Sequence, residues 1–527
     1  MRGATLSRRG VLLAGAASLA ACSQTPPALQ GGFAGIAFER GHLLRSLPSA
    51  GSEPAVTRRT QVVIAGAGIA GLAAARALRL AGLEDFRVME LEDGAGGNSR
   101  GMAVQGQPCP MGAHYLPVPG DDSAEVQNLL EELGMRKRVA GRWVYDELQL
   151  CHSPQERLFI DGSWQEGLLP MQGATAATLD QYRRFSQVVA AEGRASRFAM
   201  PAFRAPFTAR QRSLAAQRFD AWLTLQGFDD ARLHWYLDYC CRDDYGCGLD
   251  GVSAWAGLHY FASRHGFSAP GEFADNADPG VLTWPEGNGR LSAAMAAPLG
   301  DRLLPAHTVL CIAEGRHGVD VDVFNHGLAQ KERWSADRCI VALPLHGAAR
   351  VVVGAPAFLA DAAARTPHAA WVVANLHLSQ PLADRPGAPP SWDNVVYGSS
   401  ALGYVDARHQ SLNPRPAPTV LTWYRALGAG VDARRDLLAR PWDFWRDAVM
   451  AELSVPHPDI GDKATRLEVV RYGHAMAVPA PQADPVRAPA VPAAGRLFFA
   501  HSDWSGYSVF EEAFTRGHLA GEAVAKA

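Results

Sequence analysis

Four apolar residues in a row, Val62-Val63-Ile64-Ala65, are followed by Gly66-Ala67-Gly68-Ile69-Ala70-Gly71 and then by an Ala/Leu-rich run. A short apolar run ending at glycines predicts a buried strand, and the Ala/Leu run predicts a helix opening beside the last glycine. A second apolar run, Val88-Met89, ends on Glu90, and Gly96-Gly97 follow six residues later. The segments Val309-Leu310-Cys311-Ile312, Val319-Asp320-Val321-Asp322-Val323 and Cys339-Ile340-Val341-Ala342-Leu343-Pro344 alternate or run apolar and predict three strands. Helical spacing covers 176–191 and 214–225, and 370–377 predicts a further strand.

Strand, Gly-x-Gly-x-x-Gly, helix and a second strand ending in an acid form a dinucleotide site. Gly66 permits the sharp turn, Gly68 the approach of a pyrophosphate, and Gly71 the packing of helix on strand. Backbone amides of the loop and first helical turn, from Ala67 through Ile69 and Ala70, lie where the helix N-terminus attracts phosphate. Glu90 is placed to accept ribose hydroxyls.

With Gly96-Gly97 placed after Glu90, the chain resembles the FAD-dependent amine oxidase and phytoene desaturase superfamily. That resemblance implies FAD, wrapped by a Gly-Gly-Arg in which this chain has Asn98, leaving phosphate charge to another donor such as Arg100. It extends to the turn Trp284-Pro285-Glu286-Gly287-Asn288-Gly289-Arg290-Leu291, which looks like the return into the FAD domain, with Val309 in the strand after it among the cofactor-contacting positions. It extends also to Leu497-Phe498-Phe499-Ala500-His501-Ser502-Asp503 with the closing stretch 511–521, where Asp503 takes the place of an acid that meets the ribityl and phosphate region and His501 stands for a glycine.

The fold so implied is α/β: a Rossmann-like FAD-binding domain (59–155, 281–350 and 490–527) interleaved with an α+β substrate domain (156–280 and 351–489). By the same resemblance, Gly112 and His114 fall close to the flavin, making His114 a candidate for polar contact or proton transfer, with a structural histidine as the other reading. Trp504-Ser505-Gly506-Tyr507 is similar to the string whose Tyr walls an aromatic cage in monoamine oxidases. Tyr507 and Trp504 are therefore candidate substrate-side residues, core packing being the alternative, and Phe510 is expected to turn its backbone N–H to the flavin. The stretch 235–246, Trp-Tyr-Leu-Asp-Tyr-Cys-Cys-Arg-Asp-Asp-Tyr-Gly, reads either as pocket lining or as a helix end with core aromatics and solvated charges.

The resemblance also implies a Lys bridged by water to flavin N5, and this chain has none between Lys331 and Lys463. A slow reaction with oxygen is expected, and the electron acceptor is left unnamed. The function expected is FAD-dependent oxidation of a C–N or C–C bond in a small organic substrate. A desaturase or isomerase of an apolar substrate and a non-catalytic flavin-binding partner protein remain as alternatives.

Arg8-Arg9 before a short Ala/Gly-rich stretch, and Leu19-Ala20-Ala21-Cys22 at its end, read as a twin-arginine export signal (1–22) with a lipobox. Membrane attachment through a lipidated Cys22 and a periplasmic or membrane-anchored location are expected, with 23–58, rich in Gly, Pro and Ser, as a tether. At 527 residues the chain exceeds one simple core, and its net charge of −3 gives no electrostatic case for nucleic acid. Seven cysteines remain after Cys22. Cys240, Cys241 and Cys247 are spaced closely enough for a disulfide, and no second Cys/His pair accompanies them at zinc spacing.

Overall fold

A computed structural model describes residues 29–46, 53–271 and 280–527. Arg8, Arg9 and Cys22 lie outside the described residues. The elements used below are β1 (Gln30–Phe33), α1 (Phe38–Ser46), β2 (Val56–Ala65), α2 (Ile69–Leu80), β3 (Phe86–Met89), β4 (Arg136–Val139), β5 (Arg142–Tyr145), α3 (Ala231–Tyr245), β6 (Gln330–Val341), α4 (Leu345–Val351), β7 (His368–Leu378), β8 (Asp393–Val396), β9 (Thr419–Ala429), β10 (Ala464–Ala477), β11 (Leu497–Phe499) and α5 (Phe510–Lys526).

Two eight-stranded sheets dominate the fold. In the first, β2 lies between β3 and β6, parallel to both, and β11 pairs parallel with β6. Val62 and Ile64 face one core with α2 and α5, while Val63 and Ala65 face another, so this strand is apolar on both sides. The second sheet runs β1, β10, β7, β9, then through β8 to a hairpin at 156–166. All of β7 is buried, with Trp371 and Val373 in the largest core and Val372 and Ala374 in the core on the opposite face.

α2 is buried over Ile69–Leu78, and its alanines admit α5 at close range. A Cβ on Gly517 would stand 2.0 Å from the Ala70 carbonyl oxygen, and one on Gly521 2.6 Å from that of Ala74. The helices therefore run side by side in the same direction. Seven residues separate Phe510 from Gly517, so the N-terminus of α5 reaches on the order of 10 Å beyond the start of α2.

Three expectations change. The stretch 23–58 is not simply a tether: β1 pairs parallel with β10, and Ala37 N–H donates to Glu92 at 3.1 Å. Gly31 permits the approach, since a Cβ there would meet the Leu467 carbonyl at 1.7 Å. Residues 214–225 form two helices broken at Arg218, which turns extended to bridge Ser253. Cys240, Cys241 and Cys247 are free thiols, Cys240 and Cys241 on the buried side of α3 and Cys247 beyond its Gly246 cap. The predicted helix at 176–191 is seen at Ala176–Ala195, capped by the Thr175 hydroxyl.

Candidate active site

The cofactor cradle is backbone held in place by glycine. Gly66 has φ 99°, and a Cβ there would lie 2.5 Å from the Ala342 carbonyl; one on Gly71 would lie 1.9 Å from that of Gly66. Gly68, by contrast, faces open space. Gly96 (φ 124°) and Gly97 (φ 57°) form the opposite wall, with Gly96 N–H donating to the Ala67 carbonyl at 2.8 Å. The buried Glu90 carboxylate accepts from Ala67 N–H and Glu92 N–H, both at 2.9 Å, which fixes its orientation while burial raises its pKa. The cradle fits FAD. Asn288 supports this fit from the turn beyond: its Nδ2 donates to the Tyr115 carbonyl at 2.9 Å, and its buried Oδ1 has no partner.

The remaining expected cofactor positions divide. Gly112 is required, since a Cβ there would stand 2.4 Å from the Asn98 carbonyl. Val309 is buried at a bulge of its strand, whose His307 N–H donates to the Glu90 carbonyl at 2.7 Å. Phe510 opens α5 and stacks on Phe514. Asn98, however, gives its side-chain amide to the Ala475 carbonyl at 2.5 Å, and Arg100 donates to the Gly35 and Gly97 carbonyls. Both are committed to partners within the protein.

Asp503 is likewise engaged. Its carboxylate accepts from Leu345 N–H at 3.0 Å and His368 Nε2 at 2.9 Å and lies 3.1 Å from His501 Nδ1. The two histidines hold its pKa well below the usual carboxylate range against the opposing effect of burial. With 1% exposure, it caps α4 and is not presented to a ribityl chain. The His501 that replaces glycine supplies one of the groups that enclose it.

Two substrate-side expectations are also corrected. Trp504 packs between Phe499 and Phe358 in a core of the FAD sheet. Tyr507 has no exposed surface; its hydroxyl donates to Glu512 at 2.8 Å, and its ring meets Tyr245, Trp255 and His259. The physical reason is spacing. The string winds into a 3-10 turn at Ser502–Ser505, and Val509 instead precedes α5.

His114 is buried among aromatic rings. Its ring stacks on Tyr424 at 4.5 Å and lies 5.0 Å from Tyr115 and 5.5 Å from Trp392. Burial depresses its pKa to about 3, so it is a neutral imidazole at physiological pH. Beside it stand Tyr115, Tyr239 and Asp243, the last two from the 235–246 stretch read as possible pocket lining, and Asp393, which the sequence did not single out. The Tyr115 hydroxyl donates to Asp243 and the Tyr239 hydroxyl to Asp393, each at 3.5 Å. Asp243 is pushed up to about 7 by burial and by Asp244, against the opposing pull of Arg264. Asp393 is likewise held well above the usual carboxylate range by burial and by Asp243.

Arg264 ties this wall to the cofactor side. It sits in a π-helical turn at Phe261–His265 and bridges Asp244 at 2.7 Å and Glu511 of α5 at 3.4 Å, all three side chains being buried. Four carboxylates with one guanidinium, among the rings of Tyr115, Trp392 and Tyr424, make an interior suited to a cation. Asp243 and Asp244 lay within the stretch that invited a pocket reading; Trp392-Asp393 carried no local signal. A separate surface cleft of about 450 Å³, lined by Gln107, Gln149, Trp284, Glu286, Arg290 and Gln410 among others, contains none of the expected site residues.

A family model described as flavin containing amine oxidoreductase matches residues 69–525. No curated protein matches this sequence. Among solved structures, wild-type putrescine oxidase bound to putrescine aligns with TM-score 0.65 at 18% identity, over 89% of this chain and 100% of that one. Cyclohexylamine oxidase from Brevibacterium oxydans aligns with TM-score 0.63 at 16% identity, over 89% and 99%. A conjugated-linoleic-acid-producing fatty acid isomerase from P. acnes follows with 0.60 and 16%, over 89% and 98%. At these identities the likeness shows the fold alone.

Proposed function

The chain belongs to the flavin-containing amine oxidoreductase family, and from that premise we propose that it binds a small amine as its ammonium form and oxidises the C–N bond once the nitrogen has given a proton to Asp243. It is an FAD-dependent oxidoreductase. The flavin, when bound, supplies the hydride acceptor. Glu90 would hold the ribose, the amides of 68–70 the pyrophosphate, and the N-terminus of α5 the flavin end.

The observation that carries the amine reading is the carboxylate pair Asp243 and Asp393 among the rings of Tyr115, Trp392 and Tyr424. Asp243 receives the ammonium, the aromatic rings complement its charge, and His114 stays neutral beside them and does not repel it. An apolar desaturase or isomerase substrate would offer no polar group to these buried acids and tyrosine hydroxyls. Anaerobic mixing with primary amines should bleach the flavin, whereas the N-acetylated amines and unsaturated fatty acids should not. Bleaching by fatty acids alone would reverse the choice.

The acceptor is proposed to be other than oxygen. Lys331 pairs with Asp322 and Lys463 with Asp459, and Trp371 and Val373 of β7 face the substrate-side core. Rapid peroxide formation in air would overturn this. FAD is proposed to be non-covalent, since 497–517 contains no Cys, and acid precipitation should release it. Export through Arg8-Arg9 and acylation of Cys22 complete the reading; fractionation of a Cys22→Ala variant tests them.

A further inference from the structure

The hairpin β4–β5 contributes nothing to either large sheet and stands as a two-stranded ribbon. Its register pairs Lys137 with Val144, Arg138 with Trp143 and Val139 with Arg142, around an Ala140-Gly141 turn with φ 48° and 81°. Every residue from 137 to 144 is exposed. Val139 is 47% exposed, Trp143 46% and Val144 40%, and Leu148 just beyond is 57% exposed. An isolated ribbon showing this much apolar surface is marginal in water unless something covers it.

The same ribbon is basic and contains no acid. Arg136 is anchored to Glu131 at 2.8 Å, and its guanidinium lies 4.2 Å from the Trp143 ring, which fixes the indole. Among the described residues, Lys137, Arg138 and Arg142 have no carboxylate within ion-pair distance, in a chain of net charge −3. One face combines Lys137 and Arg142 with two valines, and the other combines Arg136 and Arg138 with Trp143 and Tyr145.

We infer that the β4–β5 ribbon is a peripheral membrane-docking element that enters the headgroup boundary of an anionic lipid surface by its turn end, Val139 and Val144 on one face and Trp143 on the other, with Lys137, Arg138 and Arg142 on the lipid phosphates. The charge and the interfacial Trp select this occupant. Four residues per strand span roughly 13 Å, too small a patch for a stable protein interface. No described helix is long and apolar enough to cross a membrane, so the contact is on the surface. It is independent of the amine reading, and with a lipid on Cys22 it would supply the second of the two signals that stable anchoring takes.

The test uses FAD-loaded full-length protein carrying Cys22→Ala, floated with phosphatidylglycerol–phosphatidylcholine vesicles and with pure phosphatidylcholine vesicles. Binding should require phosphatidylglycerol and weaken with salt. The Lys137→Glu/Arg138→Glu/Arg142→Glu variant should lose on the order of 100-fold in partitioning while keeping its flavin content and amine turnover. Trp143→Phe should abolish the quenching of protein fluorescence by brominated lipid, a readout that a merely electrostatic role would leave in place. Equal binding to both vesicles, unchanged binding of the triple variant, or a dimer that the triple variant dissociates would each overturn the inference.

Discussion

The cofactor cradle and the substrate wall are built on opposite principles. The cradle is backbone: Gly66, Gly71 and Gly96 clear space, and one side chain, Glu90, is pinned by the N–H groups of Ala67 and Glu92. The wall is side chains: Asp243 and Arg264 from neighbouring helices, Asp393 from β8, Tyr424 from β9 and Glu511 from α5. Backbone sites tolerate few residue types but require no distant partner, whereas side-chain sites exist only after distant elements have packed.

The strongest way to break the contrast is Gly71→Val. With only 1.9 Å to the Gly66 carbonyl, the variant should lose its FAD and more than ~4 kcal/mol of stability, read by flavin content and thermal melting.

Asp243→Asn should separate the two regions cleanly. Amine kcat/KM should fall about 100-fold, the cost of removing one partner of a buried charge contact, with FAD content unchanged. Because Asp243 titrates at about 7, it is neutral below that pH and ionised above it, so kcat/KM should rise as pH rises through 7 in the parent and lose that limb in the variant. A limb that persists would assign it to another group, and equal loss of FAD would erase the distinction between the regions.

Tyr507→Phe sharpens the boundary from the other side. Removing its donor leaves Glu512 with Ser505 Oγ and Ala202 N–H, a loss of about 1–2 kcal/mol in a denaturant melt. Flavin reduction by amine should keep the parent rate. A slowed reduction would return Tyr507 to the substrate wall.

Acid should act gradually on the junction between the regions. Burial holds His346 at about 3 and His474 at about 4, while their unfolded value is 6.5. Below 6.5 the unfolded chain takes up protons that the folded chain refuses, so stability should fall as pH drops from 6.5 toward 4. Asp503, also depressed, adds its loss only below 3.8. Melting midpoints that rise over that interval would contradict the neutral histidine pair.

Reading the sequence recovered the cradle because each of its requirements is local. A turn needs Gly66, a close approach needs Gly71, and strand–loop–helix order puts amides and Glu90 together within thirty residues. The same locality failed for the Trp504–Tyr507 string, where a familiar run of residues winds into a 3-10 turn at Ser502–Ser505 ahead of α5 and turns into the core. It failed for Asp503, whose partners Leu345 and His368 are more than 130 residues away.

The order of strands, the glycines, the acid and the FAD-binding class are thus properties of the sequence by itself, because backbone sterics and short-range spacing dictate them. Tertiary structure alone decided that Asp393 comes to face the Asp243 wall, that Arg264 bridges Asp244 to α5, and that His114 rests neutral on Tyr424. Those relations depend on which side chains two sheets and their inserted helices bring together. Burial then sets their charge, and burial is a property of the packed chain that no local run of residues encodes.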